Sequence, residues 1–533
     1  MSRPMQKVSV LVVFLWIPLV ASSQLLPTAE SRCTNIASTG LQDATVAATT
    51  LVPAGGPVAG VTLSPGELRA LPSFCRVQIT DRPSPDSNIQ TEIWLPAAGW
   101  NGRFRAEGNG GFAGYIPYEL MATAVAEGYA TSGTDTGHSG ASATFALGHP
   151  EKVKDFGWRA VHDMTVEAKS AVKSFYGKAP EHSYFTSCSN GGRQALMEAQ
   201  RFPTDYEGIL AGDPAYNWTA LVASATADAQ ALLASPASYI PSKKIPAIAA
   251  AVLSACDKQG ELIDGVISDP RRCAFNPSTL VCKKGDDDTC LLPEQVETLR
   301  TIYAAKFDDQ GKQVFPGYLP GAEDGPGGWI PWITGNAPGD SLFNFFGVGY
   351  FSNFVYGRPD WSIKSFNFNS DLKLANQRTA HELNATDVNI KPFIDHGGKL
   401  VLYQGWNDPA IPALSTIIYY EGIVGALSQK TADEAVRLYM VPGMQHCQGG
   451  PGAASFGQAG DGPRADASHD IFTALEEWVE ASRAPGQLIG NRSFQVDHAL
   501  KVDMTRPLCP YPAQAGYTKG DPKDAKNFVC GTP

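Results

Sequence analysis

One stretch of the sequence places a serine at a turn where it could act as a nucleophile: SYFTSCSNGGRQALMEAQRF, residues 183–202. Strand-like residues precede Ser189, helical spacing follows it, and the small residues Gly191 and Gly192 permit a tight strand-to-helix turn. Such a turn exposes the serine hydroxyl for attack on a carbonyl carbon. Ser187 stands where the usual G-x-S-x-G pattern has its first glycine, and the alternative is an ordinary helix N-cap at Ser189.

A serine hydroxyl is a weak nucleophile, so this chemistry needs a histidine base and a carboxylate that orients it. His446 in MQHCQGG follows the last predicted strand and is the candidate base. Asp408 in YQGWNDPAIP follows the preceding predicted strand and is the candidate acid, with a helix N-cap as the alternative. Asp213 comes too early in the Ser, Asp, His order, and Asp395 precedes its strand. The chain order therefore predicts a triad of Ser189, Asp408 and His446.

Negative charge develops on the carbonyl oxygen during the attack, so two backbone N–H groups should face that oxygen. The first candidate is the N–H of Asn190, directly after the nucleophile. The second is expected in the glycine-rich loop EGNGGFAG at 107–114, from Gly110 or Gly111. The spacing of nucleotide-binding glycine motifs is missing from this loop, which argues against a phosphate cradle.

The segment that contains Ser189 and the segment that contains His446 each also contain a cysteine. The chain has ten cysteines in all. Four pairs of sequence neighbours could close short loops: Cys33 with Cys75, Cys256 with Cys273, Cys282 with Cys290, and Cys509 with Cys530. Cys188 and Cys447 remain, and they stand directly beside Ser189 and His446. If they pair, their Cα atoms lie within about 4.4 to 6.8 Å and the bond clamps nucleophile and base together. The alternative is a bridge that only stabilises the fold.

The elements that must position these residues follow an α/β pattern. Residues 90–214 alternate strand-like and helical stretches, and the pattern resumes with the strand KLVLYQG at 399–405. The intervening segment is rich in Trp, Gly and Pro and contains four of the cysteines, which indicates an inserted domain. The predicted divisions are a first core part at 24–215, a lid domain at 216–395 and a second core part at 396–533.

The net charge of the chain limits the classes of binding partner, and its N-terminal residues indicate its location. The net charge of −11 and the lack of a Lys/Arg run argue against nucleic acid or an anionic membrane surface, so we expect a small-molecule partner. Residues 1–23 have the basic, apolar and small-residue zones of a secretory signal peptide. A membrane anchor is the alternative, but the apolar run at 8–21 is shorter than the roughly 20 residues that span a bilayer. We therefore expect a secreted or periplasmic protein that is not membrane-bound after cleavage.

The segments CSNGGRQALMEAQRFPTDYEGILAGDPAYNW, YQGWNDPAI, GMQHC and GTDTGH resemble the tannase and feruloyl esterase family over essentially the whole mature chain. The resemblance implies an α/β-hydrolase core with a large inserted lid, the triad named above, a disulfide from Cys188 to Cys447 and the four local disulfides. It also implies a serine esterase that hydrolyses esters of aromatic (phenolic) carboxylic acids through an acyl-enzyme, without an organic cofactor. Because the family includes a hydrolase of a terephthalate monoester, that activity or a general carboxylesterase is an alternative. A non-catalytic secreted binding protein on the same scaffold is a second alternative.

The resemblance extends to a calcium site in the family's lid, in a segment of the form C-D-x-x-D-G-x-x-D-G. This chain has CDKQGELIDGV at 256–266, with Gly260 in place of the family's third aspartate and Glu261 beside it. The implied ligands are the side chains of Asp257 and Asp264 and the backbone carbonyls of Leu262 and Val266. From the residues alone, a solvated acidic turn is an equally good interpretation.

Lid aromatic residues could form a wall against which an aromatic acyl group stacks. The candidates are Trp218, Trp329, Trp332 and Trp361. Packing in the core of the lid is the alternative for each of them.

Overall fold

The structure is a computed structural model that describes residues 28–36, 43–257, 262–458, 466–496 and 499–532, with isolated positions among the first nine. The proposed signal segment falls mostly outside these residues and stays a prediction. In the part of the chain that is described, no helix is long and apolar enough to cross a membrane.

The strands and helices are numbered in chain order. The strands are β1 (Ala44–Val52), β2 (Phe74–Asp81), β3 (Ile89–Pro96), β4 (Arg103–Glu107), β5 (Ala130–Thr134), β6 (His182–Cys188), β7 (Gly208–Gly212), β8 (Lys306–Phe307), β9 (Gln313–Phe315), β10 (Lys399–Gly405), β11 (Val436–Val441), β12 (Leu488–Val496), β13 (Ala499–Leu508), β14 (Gln514–Tyr517) and β15 (Phe528–Gly531). The helices are α1 (Ala29–Ile36), α2 (Pro65–Ala70), α3 (Tyr118–Ala126), α4 (Pro150–Lys154), α5 (Ala160–Tyr176), α6 (Asn190–Arg201), α7 (Trp218–Leu232), α8 (Ile245–Cys256), α9 (Pro293–Tyr303), α10 (Leu342–Tyr350), α11 (Phe368–Leu383), α12 (Lys391–Asp395), α13 (Ala413–Leu427), α14 (Gln429–Ala435) and α15 (Ile471–Ala481).

A nine-stranded sheet forms the centre of the described residues, in the order β1-β2-β3-β5-β4-β6-β7-β10-β11. Neighbouring strands from β5 to β11 in this order are parallel, whereas β1, β2, β3 and β5 pair antiparallel. Because β6, β7, β10 and β11 are parallel neighbours, the loops that follow them emerge at one edge of the sheet. This is the α/β-hydrolase arrangement, which confirms the predicted fold class.

Both faces of the sheet are covered, which explains why its central strands are buried along most of their length. All five residues of β7 are buried, and so are six of the seven in β10. Residues of α5, α6 and α13 pack on one face, and residues of α15 pack on the other. The sheet is therefore a rigid support for the side chains in the loops that follow its strands.

The segment at 216–395 builds a hydrophobic core separate from the two at the sheet faces. Its helix α7 contacts both α10 and α11, and the core contains buried aromatic residues such as Tyr350, Phe351 and Phe354. Helix α7 begins directly after the loop that leaves β7. The segment consequently lies over the carboxyl edge of the sheet, although its exact bounds as a domain stay a prediction.

Candidate active site

The turn between β6 and α6 holds Ser189 in a backbone conformation that few residues adopt. Its φ is 67° and its ψ is −126°, and for a non-glycine residue such angles carry strain of a kind that is concentrated at functional sites. The two following glycines are required by space, because a Cβ at Gly191 would lie 1.8 Å from Ser187 Oγ and one at Gly192 would lie 2.4 Å from Gly212 O. The strand, the turn and the helix have the geometry of a nucleophile elbow.

The three residues predicted as a triad lie together at the carboxyl edge of the sheet. His446 Nε2 is 2.9 Å from Ser189 Oγ, and His446 Nδ1 is 2.9 Å from Asp408 Oδ2. The side chain of Asp408 is fully buried and that of His446 is 10% exposed. With its proton on Nδ1, the imidazole donates to Asp408 and presents an acceptor to the serine hydroxyl, which is the arrangement for removing the serine proton.

Asp408 is held by a full set of hydrogen bonds. Its Oδ1 accepts the backbone N–H groups of Ala410 at 2.7 Å and Ile411 at 3.0 Å. Its Oδ2 accepts from His446 and also from Gln404 Nε2, at 3.0 Å. Asp408 is not the helix N-cap that the sequence offered as an alternative, because α13 begins at Ala413 with Pro412 as its N-cap. One of its oxygens instead holds the turn before that helix, while the other faces the imidazole.

The cysteines beside the serine and the histidine form a disulfide with a Cα–Cα distance of 5.9 Å across 259 residues of sequence. The structure also contains the four shorter pairs that the sequence suggests. The bond from Cys188 to Cys447 joins the end of β6 to the turn after β11. It therefore ties together the two segments that carry Ser189 and His446.

Asp213 at the end of β7, which sequence order excluded from the triad, lies directly behind it. Its carboxylate is fully buried and accepts the N–H of Gly405 and the N–H of Cys447, both at 2.8 Å. Oxygen atoms of Asp213 and Asp408 and a ring nitrogen of His446 all lie within 4.8 Å of one another. Burial, and then the negative charge of Asp408, raise the pKa of Asp213 well above its usual value. Asp213 directly follows β7, which comes between the strands that precede Ser189 and Asp408. This position was the sequence signal that could have identified it.

The predicted oxyanion donors lie beside the serine. Asn190 is the first residue of α6, so its N–H has no acceptor within the helix. Gly111 lines the cavity at Ser189, with a φ of +60°, whereas Gly110 precedes it and is not among the lining residues. The side chain of Asn190 donates to Asn109 O at 3.3 Å, which joins the glycine loop to the elbow.

The motif GTDTGH supports the same glycine loop, a role that sequence reasoning did not assign. His138 Nε2 lies 2.8 Å from Phe112 O, and Thr136 Oγ1 donates to Ala113 O at 3.1 Å. Asn109 Nδ2 in turn donates to Thr134 O at 3.1 Å. Burial lowers the pKa of His138, which favours the neutral form of its ring.

A cavity of about 80 Å³ opens at Ser189 under the segment 216–395. Trp218 and Trp332 line it, and the Trp332 ring lies edge-on to His446 with ring centroids 4.8 Å apart. Trp329 and Trp361 instead pack in the core of the lid segment, against Tyr303 and Phe351. Two of the four candidate tryptophans are thus placed to touch a bound ester.

The segment implied as a calcium site is described only in part, because 258–261 lie outside the described residues. Among the described residues, Asp257 Oδ1 is buried and has no hydrogen-bond partner, which suits an ion, and Asp257 Oδ2 accepts the N–H of Gly265 at 3.0 Å. Asp264 is engaged at both oxygens, by the N–H of Val266 at 3.1 Å and by Arg506 at 2.6 Å. A guanidinium already balances this carboxylate, so the described donors do not fit a calcium site as they stand. The calcium site and the ligand roles of Leu262 and Val266 stay predictions.

Comparison with known proteins gives one consistent result. The family described as tannase and feruloyl esterase matches residues 75–531. An uncharacterized esterase of Xanthomonas campestris pv. campestris is 39% identical, with 96% of this chain and 93% of that protein covered. A probable feruloyl esterase B-2 of Aspergillus flavus is 32% identical, with 83% and 85% covered. The crystal structure of feruloyl esterase B from Aspergillus oryzae superposes with a TM-score of 0.85 at 27% identity, covering 95% of this chain and all of that one.

Proposed function

This chain belongs to the tannase and feruloyl esterase family and is a carboxylic ester hydrolase, and on that premise we propose a secreted serine esterase for aromatic acid esters. The observation that carries the proposal is the hydrogen-bonded series Asp408, His446, Ser189 at the mouth of an aromatic-lined cavity. Of these three residues, the serine is the one that lines the cavity.

In the first half of the reaction His446 Nε2 takes the proton of Ser189 while Oγ attacks the ester carbonyl carbon. Asp408 keeps the imidazole in the tautomer that can accept this proton. The N–H groups of Asn190 and Gly111 face the oxygen as it becomes negative, and each such donor contributes about a hundredfold or more in rate. Proton return from His446 to the leaving alkoxide gives an acyl-enzyme at Ser189.

In the second half the same groups act on water. His446 removes a proton from a water molecule, which attacks the acyl carbon, and the acid leaves as Ser189 recovers its proton. The cavity wall supports an aromatic acyl group, because flat rings pack well against Trp218 and Trp332. The relatives named as feruloyl esterases support the same class of substrate.

Two alternatives have weaker support. A terephthalate monoester carries a second carboxylate, and no Lys or Arg is among the described residues that line the cavity. A non-catalytic binding protein does not need a strained serine that is hydrogen-bonded to a histidine, or a buried aspartate that is hydrogen-bonded to that histidine. Export is supported by the five disulfides, since such bonds persist in oxidising compartments.

Replacing Ser189 tests the proposal. We expect Ser189→Ala to lower kcat for methyl ferulate by a factor of about ten thousand or more, with an unchanged melting temperature. Ser365→Ala, at an exposed serine that is not among the residues lining the cavity, is the matched control and should be fully active. A fluorophosphonate should label the wild type and the control only. Turnover or labelling that survives in Ser189→Ala would remove the serine from the mechanism.

A further inference from the structure

A fully buried arginine lies on the helix that follows the nucleophile. Arg193 belongs to the first turn of α6, and its side chain is 0% exposed. Among the described residues no carboxylate forms an ion pair with it, and the hydrogen bonds that its guanidinium donates go to uncharged oxygen atoms. Burial, and then the charge of Arg201, lower the pKa of Arg193 to about 9, so the group is still a cation at neutral pH.

The hydrogen bonds of Arg193 join α6 to two other parts of the molecule. Within α6, Arg193 Nε donates to Asn190 Oδ1 at 2.8 Å. Nη1 donates to Gly157 O at 2.7 Å and Nη2 donates to Phe156 O at 3.1 Å, both in the helical turn that precedes α5. Nη1 also donates to Leu383 O at 3.4 Å, at the end of the lid helix α11. Arg193 therefore connects the helix after the nucleophile to the core and to the lid segment.

Two of the residues in contact with Arg193 line the cavity at Ser189. One is Asn190, whose backbone N–H is a predicted oxyanion donor. The other is Trp218, whose ring centroid is 5.5 Å from Arg193 Cζ. Arg193 is not itself among the described residues that line the cavity, so each of these contacts places its charge one residue away from a bound ester.

The side chain of Asn190 links Arg193 to the second oxyanion donor. Asn190 Oδ1 accepts from Arg193, and Asn190 Nδ2 donates to Asn109 O at 3.3 Å, two residues before Gly111. Gln194, the residue after Arg193, accepts the N–H of Asn109 at 3.1 Å and donates to Asn109 Oδ1 at 2.9 Å. Because Arg193 orients the side chain of Asn190, it helps to set the spacing between the elbow and the glycine loop.

A buried cation without a counter-ion destabilises a fold, because its hydration is lost and only dipoles replace it. Such a charge is useful where negative charge develops during a reaction. The ester carbonyl is neutral in the bound substrate and becomes anionic only in the transition state. A fixed positive charge next to an oxyanion donor therefore stabilises the transition state more than it stabilises the bound ester.

We propose that Arg193, given the esterase function proposed above, is a positioning residue for the oxyanion hole. Its bond to Asn190 holds the donor N–H in place, and its unpaired positive charge stabilises the oxyanion through the buried interior, where charges are weakly screened. Because Arg193 does not touch the substrate, its loss should lower kcat and leave KM for methyl ferulate nearly unchanged.

Two variants of Arg193 separate its charge from its hydrogen bonds. Arg193→Met is neutral and of similar length, and it should lower kcat by about ten- to a hundredfold. Arg193→Lys keeps a positive charge but loses the planar set of donors, so its kcat should be lower than that of the wild type and about fivefold or more above that of Arg193→Met.

Arg201→Met is the matched control for the loss of an arginine from this helix. Arg201 lies on α6 and, like Arg193, its guanidinium stacks on an indole, with Cζ 5.3 Å from the ring centroid of Trp158. Its hydrogen bonds in the described part of the chain go to Met197 and His381, away from Asn190. This control should keep the wild-type kcat.

A transition-state analogue measures the same effect without turnover. When phenyl trifluoromethyl ketone binds, Ser189 Oγ bonds to its carbonyl carbon, the serine proton moves to His446, and the carbonyl oxygen becomes an anion that faces the oxyanion donors. In Arg193→Met the inhibition constant of this ketone should rise by the factor by which kcat falls, to within about threefold. If Arg193 only fixed the lid to the core, its loss would lower the melting temperature and raise KM, but kcat and the inhibition constant would not change together.

Circular dichroism and the endpoint of fluorophosphonate labelling give the folded, active fraction of each variant. If Arg193→Met does not fold, Arg193→Gln takes its place, because it is also neutral but keeps an N–H donor. It should then have a kcat about fivefold or more below that of Arg193→Lys. A folded neutral variant whose kcat equals that of the wild type or that of Arg193→Lys would overturn the inference. These outcomes are separate from the Ser189→Ala result, which decides the proposed function.

Discussion

Replacing Asp408 by asparagine perturbs the site in a way that the hydrogen bonds make specific. Two backbone N–H groups, of Ala410 and Ile411, require an oxygen at Oδ1. The amide nitrogen of the introduced asparagine must then occupy the Oδ2 position, where it faces His446 Nδ1 and Gln404 Nε2. A donor would thus replace the acceptor that His446 now contacts at 2.9 Å.

The size of the expected loss of kcat follows from which imidazole nitrogen carries the proton. Against an amide N–H, the imidazole must present its lone pair at Nδ1 and carry its proton on Nε2, and that nitrogen can then no longer accept the proton of Ser189. A triad with the wrong tautomer loses a factor of about ten thousand in kcat, or about 5.5 kcal/mol of transition-state stabilisation. Because no substrate contact is removed, KM should change only a few-fold.

The assay is steady-state hydrolysis of methyl ferulate together with the rate of fluorophosphonate labelling. Asp395→Asn is the matched control, since Asp395 is an exposed aspartate paired with Lys391 and was a rival candidate in the sequence. The control should keep full activity. If folded Asp408→Asn retains more than a tenth of the wild-type kcat, Asp408 is not the residue that orients the base.

Two further predictions concern the cross-links of the fold. Replacing both Cys188 and Cys447 by alanine opens a loop of 259 residues, which the chain-entropy model values at about 5 kcal/mol and which should lower the melting temperature by about 5 °C. The same variant should lose kcat more than it raises KM, and a wild-type kcat would show that the bond does not position the site. For the calcium prediction, we expect a chelator to leave the melting temperature unchanged, because Arg506 already balances Asp264. A rise of several degrees when calcium is added to dialysed protein would show that an ion binds there after all.

The sequence predicted most of the framework because that information is local or follows chain order. Strand β10 occupies the residues that the sequence predicted as a strand, at 399–405. Ser189, Asp408 and His446 were predicted because each follows a predicted strand and the three occur in the order Ser, Asp, His. Parallel strands bring their carboxyl ends to one edge, so order along the chain translates directly into proximity.

Other features needed the folded chain. Which tryptophans line the cavity depends on how the helices of the lid segment pack, and no spacing distinguishes Trp332 at the cavity from Trp329 in the core. The ion pair of Asp264 with Arg506 joins residues that are 242 positions apart in the sequence. Asp264 belongs to the turn for which the family resemblance implied a calcium site.

By itself, then, the sequence determined the reactive turn, the order of acid and base, and the cysteines that flank them, because each of these is a property of neighbouring residues. Only the tertiary structure decided what surrounds them: the buried acid at Asp213, the apolar wall of the cavity and the partner of Asp264. The physical reason is that burial and hydrogen bonding between distant segments arise from packing in three dimensions, which the residue types along the chain do not encode one position at a time.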